Sequence, residues 1–439
     1  MMKLKVCLFR ILLQFFVNFF FFLANRYGQL PVSHEIELQH GSKSVTALAL
    51  DPNGARLVTG SIDYEVKFWD FQGMDNTLQS FRSTKPVQSH SIKHLEYSSN
   101  GELILVVSGA CIVKLLDRDG ANKGESVKGD QYILDKAKTK GHVSALTSGC
   151  WHPLDRNIFV TTSSDTTSRF WDVNKGLKEH KTLIKPRSST GAFTSANCLA
   201  FTPIGDLLAL GCVDGSIQMW DTRRPFVNTT HALRDAHQRQ SDIASIRFSY
   251  NGHYLLSRGT DDSSMKLWDV RAIRNGAFKR NTAAIPVHAW RNLENRHSNT
   301  DCFFSPDDRL AITGCSVDER KTSKDSGSIR IFDISNFEAV NQIDFGIRNS
   351  VIRSYWHPKL NQIVASTSNG SVRMLYDLQR SARGALLCSF REKRKRGPDV
   401  FQISKPQIIT RKFDYLSYLL SNFVINLLLI IYSECTSNV

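Results

Sequence analysis

The side chains in this chain best suited to chemistry come in a set that repeats. His40, Thr59, Asp63 and Trp69 stand in one order; His142, Thr161, Asp165 and Trp171 repeat it, and His237, Ser257, Asp261 and Trp268 form a third copy. Hydrolytic chemistry needs an acid, base, nucleophile or metal ligands converging at one mouth. The rest of the sequence lacks the accompanying signatures. There is no G-x-S-x-G, no metal-spaced His pair and no phosphate loop, and His34-Glu35 lacks the x-x-His that a zinc protease requires. The repeated set therefore reads as structural. No catalytic residue, metal or cofactor is expected, and no enzyme.

A second motif suits binding rather than reaction. Trp220-Asp-Thr-Arg223 and Trp268-Asp-Val-Arg271 each end in arginine, whereas the other two Trp-Asp pairs continue as Asp70-Phe-Gln-Gly73 and Asp172-Val-Asn-Lys175. A guanidinium can make bidentate contacts with carboxylates or carbonyls of a partner. Asp221 and Asp269 would hold each arginine in place or cap the turn. The competing reading is a local Asp–Arg bridge with no partner.

A longer repeat positions both motifs. An apolar strand, a Pro/Gly/Asn turn, a second strand, an Asp or Asn, and a third strand ending in Asp return seven times. The clearest copy runs from Thr46 to Asp70. Its closing Asp recurs at Asp117, Asp172, Asp221, Asp269, Asp333 and Asp377, at spacings of 47, 55, 49, 48, 64 and 44 residues. This is the period of propeller blades with loop insertions. Val66, Phe68 and their aliphatic neighbours alternate with polar residues, as strands do. Asp51-Pro-Asn-Gly54 is a turn, and Trp-His-Pro replaces it at Trp151–Pro153 and Trp356–Pro358. A four-stranded blade cannot bury both faces alone, so blades stack around a channel. The predicted fold class is all-β: a seven-bladed β-propeller of four-stranded antiparallel blades over residues 30–390, with non-propeller apolar termini. Val32–Leu38 is expected to pair with the last blade and close the ring, with Leu386–Phe390 competing for that place. Asp130–Gly141, polar and Lys-rich, reads as a short insert before the third blade, and Arg291–Thr300 and Ser316–Ser328 as two long, charged, exposed insertions.

The Trp-Asp endings carry a resemblance. Phe68–Asp70, Phe170–Asp172, Met219–Asp221 and Leu267–Asp269, with degenerate copies at Leu115–Asp117, Ile331–Asp333 and Leu375–Asp377, look like a WD-repeat β-propeller. The resemblance implies that each His, Asp, Ser/Thr and Trp set forms a buried hydrogen-bonded tetrad, a network that rigidifies when satisfied. W-D-x-R ending two consecutive blades resembles the docking box of substrate receptors that engage the damaged-DNA-binding adaptor of the cullin-four RING ubiquitin ligase. Asp221, Arg223, Asp269 and Arg271 would then be partner-binding. Longer segments, among them Leu30–Gly41, Asp51–Asp75, Lys128–Asp135 and Arg258–Arg271, resemble the gastrulation-defective family of WD-repeat proteins. Membership implies a nuclear scaffold working with that ligase in chromatin ubiquitination and the DNA-damage response. Other proteins on the propeller faces, and chromatin, are further partners in that reading. Members of that family carry a long polar region where this chain has a Phe-rich stretch.

The formal charge is +15. Residues 1–33 contribute +4 and residues 391–439 another +4, leaving +7 on the propeller, an excess that suits acidic partners. Lys393, Arg394, Lys395 and Arg396, in a basic tail over residues 391–412, read as a nuclear-import segment. None of the nine cysteines forms a C-x-x-C and most fall at apolar strand positions, which points to reduced thiols and an intracellular compartment. The apolar ends, residues 1–29 and 413–439, fit none of this. Ile11–Ala24 copies a signal peptide superficially, but Phe22 stands where a small residue belongs. Tyr415–Tyr432 is 18 residues long and marginally able to span a bilayer. Both ends have the composition of translated AT-rich noncoding sequence and read as a gene-model artefact. A genuine anchor would instead make the chain a membrane-associated or trafficking propeller, the alternative function.

Overall fold

Alternation along the chain becomes strand pairing. The computed structural model describes residues 30–274, 285–317, 326–347 and 349–389. In the first repeat Val45–Leu50, Arg56–Ser61 and Val66–Asp70 pair antiparallel, with Leu50 opposite Leu57 and Leu57 opposite Trp69. Val66 and Phe68 are buried, and Lys67 between them is half-buried. A short outer strand, Arg82–Thr84, completes the sheet. The same four-stranded sheet is built seven times.

The first strands of the blades are Val45–Leu50, Ile92–Tyr97, Leu146–Trp151, Ala196–Phe201, Ile243–Phe248, Cys302–Phe304 and Val351–His357. Each touches the next and the last touches the first, so they form a closed ring around a channel. Six of them carry a bulge near their start, which increases local twist. The core is divided among the blade interfaces. Trp69 packs with Val364, Val372 and Met374 between the seventh and first blades, and Phe68 with Ile92 and Ile104 between the first and second. A blade therefore completes its core only with its neighbour.

His34–Gln39 pairs with Ser371–Tyr376, His34 opposite Tyr376 and Gln39 opposite Ser371, which closes the ring. The competing segment forms a short helix, Ala385–Ser389, and adds no strand. At the closing interface the Asp51–Gly54 turn meets the seventh blade. Gly54 lies at φ 71°, and a Cβ there would come within 2.5 Å of the Leu360 side chain. Both the positive φ and the close approach require glycine.

Two readings shift. In the seventh blade Leu375, opposite Ile363, holds the place that Trp69 holds opposite Leu57. Asp377 thus lies one residue beyond the strand. The segment Arg291–Thr300 is more than an exposed insertion: Leu293 is fully buried and its carbonyl accepts from Arg258 at 2.7 Å. The apolar ends and the tail cluster Lys393–Arg396 lie outside the described residues, as do Cys7 and Cys435. Among the described residues all seven cysteines are free thiols, and no helix is long and apolar enough to cross a membrane.

Candidate docking site

The third blade builds the complete polar set. His142 Nδ1–H donates to Asp165 at 3.0 Å, Thr161 donates to His142 Nε2 at 2.9 Å, and Trp171 Nε1–H donates to Thr161 Oγ1 at 2.8 Å. All four residues are fully buried. Burial pushes His142 below its ordinary pKa, against the pull of Asp165. Burial alone would raise Asp165, but bonds from His142, Thr167 and the Val143 amide hold it far below the carboxylate range. The imidazole is neutral, every polar atom of the set is used, and no open face remains for a substrate.

The fifth blade corrects one residue. His237 Nδ1–H donates to Asp262 at 2.6 Å, not to Asp261, while Ser257 and Trp268 complete the chain at 2.7 and 2.9 Å. Asp63 and Asp165 stand four residues after the hydroxyl and six before the tryptophan. The turn of the fifth blade has one extra residue, and the spacing to tryptophan prevails because the strand pairs through it. In the first blade the ring is reversed. His40 Nδ1 meets Thr59 at 2.7 Å and Trp69 donates to the same hydroxyl at 3.0 Å. His40 Nε2, however, stops 3.8 Å from Asp63 and is buried without a partner among the described residues. Burial brings His40 down to about 4.

Arg223 and Arg271 leave the ends of the third strands of neighbouring blades. Arg223 Nε and Nη2 donate to the two oxygens of Asp221 at 3.1 and 3.3 Å; Arg271 does the same to Asp269, both at 3.3 Å. The local bridge is thus formed in both motifs, and it uses one edge of each guanidinium. The rest stays in solvent: the Arg223 side chain is 70% exposed and that of Arg271 56%. Arg271 also lies over the Tyr254 ring. The two motifs are tied together by Asp206, in the first turn of the fourth blade. Its carbonyl accepts from the Thr222 amide, and its carboxylate pairs with Arg274 at 2.9 Å from the helix Val270–Arg274.

A further group was not legible as a site. Glu96, Arg247, Asp301 and Arg353 come from the inner ends of four blades and meet in a cavity of about 460 Å³ at the channel. Arg353 donates to Asp301, Ser245 donates to the same oxygen at 2.9 Å, and the Trp151 amide donates to Glu96 at 2.9 Å. Burial raises Glu96 to about 6. Burial alone would lower Arg247, but Asp301 and Glu96 hold it above its ordinary value. The available signal was a charged residue inside or just before a blade's first strand: Glu96 in Ile92–Tyr97, Arg247 in Ile243–Phe248, Arg353 in Val351–His357 and Asp301 ahead of Cys302–Phe304. Among the described residues no cluster of three or more His, Cys, Asp or Glu is arranged to hold a metal ion.

Comparison with known proteins agrees with this geometry. The family described as "Nucleolar protein 10-like, N-terminal domain" matches residues 150–386, and "WD domain, G-beta repeat" matches residues 33–70. The chain is 48% identical over 382 residues to the Gastrulation defective protein 1 homolog of Drosophila melanogaster, covering 87% of this chain and 56% of that one. It is 48% identical to WD repeat-containing protein 70 of Xenopus laevis (84% and 57% covered) and 44% identical to that of Homo sapiens (84% and 54%). The chain spans a little over half the length of these curated relatives. With seven closed blades and a match over more than half its length, the chain is a WD-repeat β-propeller protein belonging to the nucleolar protein 10-like N-terminal domain family.

Proposed function

We propose that this propeller is a non-catalytic nuclear scaffold. In this reading it is a substrate receptor that docks the damaged-DNA-binding adaptor of a cullin-four RING ubiquitin ligase and acts in chromatin ubiquitination and the DNA-damage response. The observation that carries it is the pair Arg223 and Arg271: two exposed guanidiniums on consecutive blades, each aimed by its own aspartate and tied through Asp206. Preorganisation matters because a long side chain ordered before binding loses less freedom at the interface. One edge of each guanidinium is taken by aspartate and the other is open to a partner's carbonyl or carboxylate. Import is assigned to Lys393, Arg394, Lys395 and Arg396.

Co-purification of the adaptor with the full chain is the test. Arg223→Glu/Arg271→Glu should abolish capture while the melting temperature stays within about 2 °C, as for exposed ion pairs. Undiminished capture by the folded double variant would remove the ligase assignment. Changing the four tail cations to alanine should move a fluorescent fusion of the full chain from nucleus to cytoplasm; unchanged nuclear accumulation would show that another segment or partner carries import.

A further inference from the structure

The fourth blade keeps the tryptophan of the polar set and, six residues before it, Asp214, but has lost the histidine and the hydroxyl. Leu210 pairs with Gln218 where Thr59 pairs with Lys67 and Thr161 with Arg169. In the place of the histidine the chain makes a small loop, with Arg187 bridging Phe193 and Gly191 at φ 85°. Trp220 is 3% exposed, and its Nε1–H has no partner among the described residues. The other blades fill this region with a cation. Arg169 donates to the Thr139 carbonyl at 2.6 Å and Lys266 to that of Ala236 at 2.7 Å. Gln218 is shorter: its amide nitrogen donates to the Arg187 carbonyl at 2.8 Å, and its Oε1 is buried without a partner among the described residues.

The missing side chains leave space. A groove of about 780 Å³ runs along the outside of the propeller here, between the third and fourth blades. Gln218 and Trp220, alternate residues of the strand Ile217–Asp221, line one wall, continued by Asp214 and Ser216 from the turn before it. Lys185, Arg187, Arg234 and Arg239 flank it, against the carboxylates of Asp214 and Asp235. Lys185 is taken by Asp135 and Arg239 by Asp235, whereas Arg187 and Arg234 are exposed and pair with no carboxylate among the described residues.

We infer that this groove binds an extended acidic peptide segment of a partner protein. Gln218 and Trp220 stand two residues apart on one strand, a spacing that matches side chains on an extended chain. The blade's outer strand, His231–Leu233, contributes Ala232 to the groove and pairs with no strand on its far edge among the described residues, so its backbone is open to an added strand. Two guanidiniums that pair with no carboxylate among the described residues, that of Arg187 lying over the Phe193 ring, give the charge complementarity, and carboxylates are the groups they hold bidentately. Asp214 and Asp235 disfavour a polyphosphate backbone, whose charge is continuous, while tolerating a peptide whose acids are spaced. The inference does not depend on adaptor docking, because it involves neither Arg223 nor Arg271.

The test uses the full chain with Lys393, Arg394, Lys395 and Arg396 changed to alanine, so that the basic tail cannot contribute. The probe is a fluorescein-labelled ten-residue peptide rich in Asp and Glu, followed by anisotropy. Arg187→Ala/Arg234→Ala should weaken binding about tenfold or more. Ala232→Phe, which fills the groove without changing its charge, should weaken it comparably, and the Asn/Gln version of the peptide should not bind. Absence of binding to the parent chain, unchanged affinity in the folded double variant, or tighter binding of a ten-nucleotide oligothymidylate would each overturn the inference.

Discussion

Asp221 grips Arg223 along one edge of its guanidinium, at 3.1 and 3.3 Å, while the aspartate itself is 7% exposed and the arginine 70%. The anchor is in the wall and the charged head is in water. Lysine at both arginine positions keeps the charge but loses the planar fork. Arg223→Lys/Arg271→Lys should therefore weaken adaptor binding about tenfold or more with little change in melting temperature. Asp221→Asn should lie between, because the fork is kept but no longer aimed. Titration calorimetry with purified adaptor measures all three. Wild-type affinity in the double lysine variant would mean that the bridge serves the blade alone.

In the third blade Thr161 is the hinge of the polar set, receiving Trp171 and reaching His142. Thr161→Val preserves shape and strands the Trp171 N–H in a fully buried site. His142 Nε2 loses its bond as well. Leaving buried polar groups unmatched costs about 1–3 kcal/mol each, so about 2–6 kcal/mol is expected. Trp171→Ala should cost about 3–5 kcal/mol, as large aromatic truncations in cores do. Urea denaturation of both variants checks this, and a loss below about 1 kcal/mol in either would contradict the register of this blade.

The blades were legible because their period, turn residues and Trp-Asp endings are local, and the closing strand because Val32–Leu38 alternates. What escaped depended on register or on distance. Asp261-Asp262 offers two adjacent carboxylates, and only the count back from Trp268 selects the second. In the fourth blade Leu210 and Gln218 look like ordinary strand residues until pairing places them opposite each other. The space they leave cannot be read from either alone. Glu96, Arg247, Asp301 and Arg353 belong to four blades, so no sequence window brings them together.

His40 is held neutral by burial, with its pKa brought down to about 4. In the unfolded chain it returns to about 6.5. Between those values the unfolded state binds the additional proton, so stability falls as pH falls. The expected slope approaches 1.4 kcal/mol per pH unit, for about 3 kcal/mol in total from this residue by pH 4. His40→Gln should flatten that part of the profile relative to wild type. Chemical denaturation at half-unit steps from pH 7 to 4 resolves it, and parallel curves for the two proteins would show that His40 is protonated inside the fold.

Asp301 is the negative centre of the channel. It accepts from Arg353 and Ser245 and faces Arg247, and both it and Arg353 are buried. Asp301→Asn leaves two guanidiniums near one another with one fewer carboxylate between them. Breaking a buried pair by removing one partner costs about 3–5 kcal/mol, and the loss should fall in that range. Removing the stranded charge as well should reverse much of it, because desolvated ions gain little over apolar packing. Asp301→Asn/Arg353→Met is therefore expected to be more stable than Asp301→Asn alone. Urea midpoints for the two variants give the comparison. If the double variant is the weaker one, Arg353 holds the channel together through contacts other than its bridge to Asp301.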